Sequence, residues 1–383
     1  MKILIIRNYP SYMDVERNTY NIQEVGLAKA LIRKGEKCDI VFWTDKEEKV
    51  ITLPVGEYGC ITVFYKNGKT LLKNTIYKNC DDLFKQYDIL QTAEYNQIES
   101  WILANKYPNK VIVYHGPYFA TFNKRYNLMC TFFDFVFLKR YLKLNTKFIT
   151  KSMLAKKFLE TKGIKEHNIA TVGVGMDAQM LSNERHECYE PIYLSMKHDD
   201  SIKLLYIGRF EKRRNVTFIM DILSAILKNY ENVTLYMIGV GKREYLAKCW
   251  KYADMLNVQQ HIVYQEQIEQ KYLSSIYELS DFFILPTEYE IFGMVLLEAM
   301  YYKNIVITTY NGGSDTLIRD EENGFIIDRL EKSEWAGKIC SLIQDKTKAD
   351  QVKNNAHETI ANLYTWDKLA DAFIKNYRKI NDD

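Results

Sequence analysis

At 383 residues, 47% hydrophobic and 26% charged, the chain is long enough for two ordinary domains and too balanced in composition to be disordered or fibrous. Its formal net charge of +3 gives no sign of a nucleic-acid partner, but the charge is unevenly spread: residues 1–180 hold 27 basic and 18 acidic side chains, residues 181–383 hold 25 and 31. The basic half suits an anionic lipid or a pyrophosphate-linked acceptor, or else its lysines serve only solubility.

Seven scattered cysteines without a Cys-x-x-Cys pair support neither a disulfide framework nor a zinc site, and they fit a reducing cytoplasm. No apolar run is long enough to span a bilayer. The sequence begins directly on a strand, so no signal peptide is expected.

Lys2-Ile3-Leu4-Ile5-Ile6 reads as a buried parallel strand. A polar loop over 8–20 follows, then a helix with Val25, Ala28, Leu31 and Ile32 on one face, stopped at Gly35. Asp39-Ile40-Val41-Phe42-Trp43 completes a βαβ unit and puts the 8–20 loop at the carboxyl edge of the sheet. Residues 50–80 read as a strand-rich edge, with strands over 50–53 and 61–65 and a turn signal at Asn67-Gly68. Ile89-Leu90-Gln91 and Val111-Ile112-Val113-Tyr114 are further strands. His115-Gly116 follows the second, where a neutral imidazole could bond a sugar hydroxyl or a phosphate oxygen, or could be purely structural.

Residues 122–148 mix cations (Lys124, Arg125, Lys139, Arg140, Lys143) with aromatics (Phe132, Phe133, Phe135, Phe137, Tyr141). An ordinary helix packing its aromatic face on the first sheet is the expected arrangement; an amphipathic element lying on an anionic membrane is the other. A helix to about Gly163 and the strand Ile169-Ala170-Thr171-Val172 close the first domain. The charged stretch 182–200 reads as linker or loop.

A second βαβ series begins at Ile202-Lys203-Leu204-Leu205-Tyr206-Ile207. Gly208 frees the backbone to turn at its end, and Arg209 with Arg214 offers a two-point clamp for a diphosphate. Cations at a helix start oppose its dipole, a conflict that a bound anion would resolve. Thr234-Leu235-Tyr236-Met237-Ile238 ends in Gly239-Val240-Gly241, which lacks the third glycine of a dinucleotide fingerprint and is a weak signal alone. Ile262-Val263-Tyr264-Gln265 ends another strand.

The most informative stretch is 281–300. An apolar strand over 281–285 ends at Pro286, and Gly293 opens a helix that is apolar almost all round and should be buried. Glu298 lies inside that helix and needs a protein donor or ligand hydroxyls. Glu290 lies in the loop at the strand's carboxyl end, where ligands bind in open α/β sheets. The helix start around Ile291, Phe292 and Gly293 presents N–H groups suited to a phosphate. One turn could hold a sugar by Glu290, a pyrophosphate by backbone donors and a ribose by Glu298. Alternatively, Glu290 caps the helix and Glu298 pairs with a neighbouring cation.

Two glutamates eight residues apart, with Phe292-Gly293 between them and a strand and proline before, resemble the signature of retaining glycosyltransferases of the GT-B fold, family 4 (glycosyl transferases group 1). The resemblance is strongest over 202–327 and mainly architectural over 1–180. It implies an α/β, GT-B architecture: two Rossmann-like domains facing a cleft and a C-terminal helix crossing back to the first. The boundaries are then 1–182 for the acceptor domain, 200–363 for the nucleotide-sugar domain and 364–383 for the returning helix, which starts at Tyr364-Thr365-Trp366-Asp367.

The resemblance also assigns residues. Gly208, Arg209 and Arg214 match its diphosphate motif, with Arg214 where a lysine is usual, and the two cations are not equivalent donors. Gly239 matches a loop near the donor. Gln265 stands where glycine is common, in a loop that meets the nucleobase through its backbone. Ile291, Phe292, Gly293 and Glu298 complete the donor site, and His115 borders the sugar, facing the cleft. Arg17-Asn18-Thr19 replaces the usual glycine pair of the first loop, so that loop receives no role. Glu290, Arg209, Arg214 and His115 are the expected catalytic residues.

The implied reaction moves a sugar from a nucleoside-diphosphate sugar, with UDP-sugar favoured, to a glycan or lipid-linked acceptor with retention at the anomeric carbon. Covalent and same-face routes both stay open. No cofactor beyond this co-substrate and no metal is expected, since no Asp-x-Asp string is present. The setting implied is cytoplasmic, in capsule, exopolysaccharide or other envelope glycan synthesis in bacteria, with contact to the inner face of an anionic membrane left open. Two other readings are a non-catalytic sugar-nucleotide-binding subunit that activates a partner glycosyltransferase and a sugar-nucleotide epimerase. A nicotinamide dehydrogenase is disfavoured by the missing Gly-x-Gly-x-x-Gly after the first strand.

Overall fold

The computed structural model describes residues 1–17, 22–71, 73–177 and 188–380. Asn18 and Thr19 of the first loop and residues 182–187 of the expected linker lie outside the described residues. The chain forms two compact units, Met1–Asp177 joined by Tyr364–Asp383, and Ala178–Leu363.

The strands of the first unit's main sheet are β1 (Lys2–Ile6), β2 (Lys37–Trp43), β3 (Lys49–Pro54), β4 (Cys60–Lys66), β7 (Ile89–Ala93), β8 (Val111–His115), β9 (Lys147–Thr150) and β10 (Ile169–Thr171). Their order is β10-β9-β8-β7-β1-β2-β4-β3. Every neighbouring pair is parallel except β3 with β4. The central strands are apolar runs because helices cover both faces of a parallel sheet; in β1, Ile3 to Ile6 are all buried. The helix Gln23–Arg33 follows β1 and buries Val25, Leu27, Ala28, Leu31 and Ile32.

Two short strands, β5 (Gly68–Leu71) and β6 (Asn74–Tyr77), form a separate antiparallel hairpin. Asn67-Gly68 therefore does not turn β4 back on itself but leads into this second element. The Asn67 amide donates to the carbonyls of Thr44 and Lys46, fixing the exit. The hairpin closes over the end of β1: the Thr75 N–H donates to the Asn8 carbonyl at 2.9 Å, and the Tyr77 hydroxyl to the Arg7 carbonyl at 2.6 Å.

The last helix, Trp366–Arg378, returns to the first unit as the sequence suggests. The Tyr364 carbonyl accepts from the Met176 N–H and the Met176 carbonyl from Trp366, so entry and exit strands are stitched together. A Cβ on Gly26 would come within 2.2 Å of the Trp366 indole nitrogen, so only glycine lets that ring lie on the helix Gln23–Arg33. The Tyr377 hydroxyl donates to Gln91 on β7 at 2.7 Å, deep in the core.

The second unit is a six-stranded parallel sheet built from β11 (Ile202–Ile207), β12 (Val233–Ile238), β13 (Ile262–Gln265), β14 (Phe282–Leu285), β15 (Ile305–Thr308) and β16 (Phe325–Ile326). The order is β13-β12-β11-β14-β15-β16. Strand order reverses between β11 and β14, so their carboxyl ends open a crevice at a topological switch point. The stretch expected as linker contains a helix, Pro191–Lys197. Proline at its first turn is compatible with helix, and Ile192 and Met196 bury one face at helical spacing. The surrounding charges hide that pattern in the sequence.

Candidate functional site

Four loops meet at the switch point of the second unit, and glycines set how closely they approach. A Cβ on Gly239 would lie 1.8 Å from the Gly208 carbonyl oxygen, and its φ of +156° is itself at the edge of what a side chain tolerates. A Cβ on Gly313 would lie 1.9 Å from the Phe292 oxygen, and one on Gly312 2.3 Å from that of Ile291. The turn over 212–215 is knitted to the loop after β14. The Arg213 carbonyl accepts from the Glu288 N–H at 2.9 Å, Asn215 donates to the Pro286 carbonyl, and the Arg213 guanidinium donates to the Tyr289 carbonyl. Arg213 also pairs with Glu211 at 2.6 Å, so this third cation of the run braces the loop.

The same knitting brings together two residues that the sequence separates widely. Arg214 Nη1 lies 2.6 Å from Glu290 Oε2, both largely shielded from solvent. The Arg214 Nε and Nη1 protons nonetheless find no aligned acceptor. Buried guanidinium donors left without an acceptor are costly, and an anion placed between them would remove the cost. Arg209 is exposed, and its guanidinium has no ion-pair partner among the described residues. Its backbone is fixed by the Tyr206 hydroxyl, which donates to the Arg209 carbonyl at 2.8 Å.

The helix Met294–Tyr301 begins where the sequence places it, with Gly293 at its N-cap in the left-handed region, φ +79°. Glycine offers no capping side chain, and no side-chain hydrogen bond caps the start of the helix. Ile291 is partly exposed and Phe292 is buried beneath it. Glu298 is buried and accepts from the Tyr277 hydroxyl at 2.8 Å, a protein donor of the kind its burial demands.

Gln265 is committed within the unit. Its amide donates to Glu190 and to the Gln267 carbonyl, its side-chain oxygen accepts from the Ile192 N–H, and its backbone carbonyl accepts from Gly239. Its side chain thus anchors the helix Pro191–Lys197.

His115 ends β8 as foreseen and is fully buried. Its Nδ1 lies 2.7 Å from Glu94 Oε2, and the rings of Tyr95 and Phe158 enclose it. Its Nε2 has no hydrogen-bond partner. Glu94, which sequence reasoning missed, sits just past β7 at φ +59°, a conformation uncommon for a non-glycine residue. It also accepts from the Gly116 N–H at 3.0 Å. Burial alone would push the Glu94 carboxyl up; the hydrogen bond and charge of His115, the charge of Lys151 and the Gly116 N–H outweigh it and hold it below the ordinary carboxylate range. No local motif marks Glu94; only its place after a strand could have drawn notice.

The two-unit arrangement of doubly wound sheets, with the last helix returning to the first unit, is the GT-B fold. A crystal structure of Anabaena HepE in complex with UDP superposes with a TM-score of 0.74 at 13% identity, over 99% of this chain and 100% of that one. Residues 195–359 match the family described as glycosyl transferases group 1. An uncharacterized glycosyltransferase of Methanocaldococcus jannaschii is 26% identical over 182 residues, 47% of this chain and 45% of the relative. A capsular polysaccharide biosynthesis glycosyltransferase, CapM of Staphylococcus aureus, is 25% identical over 227 residues, 56% of this chain and 58% of the relative. The matches thus span about half the length of these curated relatives.

Proposed function

We propose that this chain is a retaining glycosyltransferase whose second unit binds a nucleoside-diphosphate sugar, UDP-sugar by preference, and whose first unit receives a glycan or lipid-linked acceptor. The observation that carries the reading is Arg214: a shielded guanidinium with unmatched donors, beside Glu290 and in the loop cluster that holds an uncapped helix start. Departure of a nucleoside diphosphate builds negative charge on its β-phosphate. Arg209, Arg214 and the N–H groups after Gly293 would stabilise that charge, in the manner of preorganised donors aimed at a developing oxyanion. Those cations supply the charge that a metal would otherwise bring.

Glu290 holds Arg214 while the crevice is empty. When a diphosphate takes over the guanidinium, Glu290 turns to the sugar hydroxyls. Glu298 would meet the ribose hydroxyls. Support for UDP comes from the similar fold of the UDP-bound HepE structure, and support for a capsule or envelope glycan setting, on the cytoplasmic side, from the likeness to CapM.

The test is direct. The purified chain is incubated with UDP-, GDP- and ADP-sugars, with and without a lipid-linked acceptor, while nucleoside diphosphate release is followed and product anomers are assigned by NMR. Release of UDP with retained configuration is expected. No binding and no turnover with any of the three donors would remove the reading, and interconversion of the donor without an acceptor would replace it by epimerase chemistry.

A further inference from the structure

Between β8 and β9 the first unit carries one continuous helical stretch: the helix Lys124–Phe133, a π-helical turn Asp134–Leu138 and the helix Lys139–Leu144. Its inner side behaves as the sequence suggests. Cys130, Phe133 and Tyr141 are buried in the unit's core, where Phe133 meets the edge of Tyr95 and Phe137 tilts against Trp101. The outer side does not. Leu128, Phe132 and Phe135 are 71%, 64% and 85% exposed, and their chain neighbours Met129 and Val136 are exposed as well. The wide π turn adds a residue to the winding, which lets Phe135 and Val136 continue the outer row while Phe137 goes inward. Packing on the sheet therefore leaves Phe132 and Phe135 unaccounted for.

A contiguous row of large apolar side chains on a soluble surface marks an interaction site. The charges beside it select the partner. Lys124, Arg125, Lys139, Arg140 and Lys143 are exposed on the same stretch. Its one acid, Asp134, is taken by Lys162 at 2.6 Å. A second copy of the chain would set these cations against each other. A bilayer with anionic headgroups meets both needs at once: phosphates for the ammonium and guanidinium groups, and the acyl boundary for the phenyl rings. No helix among the described residues is long and apolar enough to cross a membrane, so the contact would be one of lying on the surface.

We infer that residues 124–143 form a docking face for anionic lipid, with Leu128, Phe132, Phe135 and Val136 entering the headgroup boundary. The face belongs to the unit in which the proposed acceptor is received, but the inference does not depend on the chemistry of the second unit. Its test therefore uses no activity measurement.

The full chain is sedimented with vesicles of phosphatidylcholine plus phosphatidylglycerol, and with phosphatidylcholine alone, at low and high salt. Binding to the anionic vesicles that weakens with salt is expected. The double variant Phe132→Ser, Phe135→Ser alters only exposed side chains, so its circular dichroism and melting should match the parent, while its vesicle affinity falls at least about tenfold. Lys139→Gln and Lys143→Gln should each weaken binding about fivefold and flatten the salt dependence. Absence of binding at low salt would overturn the inference, as would equal binding by the phenylalanine variant. Self-association in solution that the same variant abolishes would assign the face to a second copy instead.

Discussion

The two sheets reverse strand order at equivalent places, yet the crevices they open differ. In the second unit the ends of β11 and β14 stay partly open, lined by Arg209, Arg214 and Glu290 around close-packed glycines. In the first unit the ends of β1 and β7 are filled. Asn8 is buried and donates to the Ala93 carbonyl and to Ser100, and the hairpin of β5 and β6 lies over it. Glu94 and His115 complete this plug. One switch point keeps charged side chains at its mouth; the other is filled by its own side chains and hairpin. Both ends leave some buried polar atoms without a partner, Asn8 Oδ1 and His115 Nε2 in the first unit and Arg214 Nε in the second, so the contrast is one of exposure: Asn8, Glu94 and His115 are buried, whereas Arg209 is open to solvent.

Substitutions can break this comparison at graded strengths. The largest effect is expected at Gly239→Val, because any Cβ there meets the Gly208 carbonyl at 1.8 Å. Chemical denaturation should show a loss of about 3 kcal/mol or more, or no folded protein; a stable variant would mean the two loops can separate. Next come Arg209→Ala and Glu290→Gln, each expected to cut kcat by about two orders of magnitude with the melting temperature little changed. Near-normal turnover would strip these residues of their assigned roles.

Glu94→Gln probes the closed crevice. The Glu94 carboxyl lies below its usual range in the folded state, so its contribution is present above that range and is lost as pH falls through the folded value. The variant should lose about 2 kcal/mol near neutrality and show a flatter acid limb. An unchanged acid limb would mean the buried pair with His115 is not formed in solution.

The smallest effect runs the other way. Glu99, buried at the start of the helix Ile98–Lys106, is pushed up from 4.5 to about 8 by burial, against a backbone hydrogen bond from Tyr77. The folded state thus holds a proton that the unfolded chain releases near 4.5, so stability falls as pH rises from there to about 8. Glu99→Gln should flatten that decline and leave the variant more stable than the parent at pH 8; identical pH profiles for variant and parent would contradict it.

The second unit was the more legible in the sequence, for a physical reason. Three of its parallel strands, β11, β12 and β14, are short apolar runs ended by a glycine or proline, so Gly208, Gly239 and Pro286, with Gly293 beyond, announce where the carboxyl edge lies. What could not be read is which side chains meet. Arg214 and Glu290 pair only because Thr287, Glu288 and Asn215 knit two distant loops. In the first unit the strands were visible, but the hairpin over β1 and the Glu94 partner of His115 depend on contacts between segments far apart in the chain. The stretch 124–144 shows the limit of pattern reading: aromatic spacing predicts a buried face, and only the structure shows that a second aromatic row points outward.

The most direct test is a crystal structure with UDP or a UDP-sugar bound. The diphosphate should lie against Arg209, Arg214 and the N–H groups after Gly293, with Glu290 turned away from Arg214. A saturated crystal in which that crevice stays empty and the Arg214–Glu290 pair keeps its 2.6 Å separation would contradict the proposed donor site.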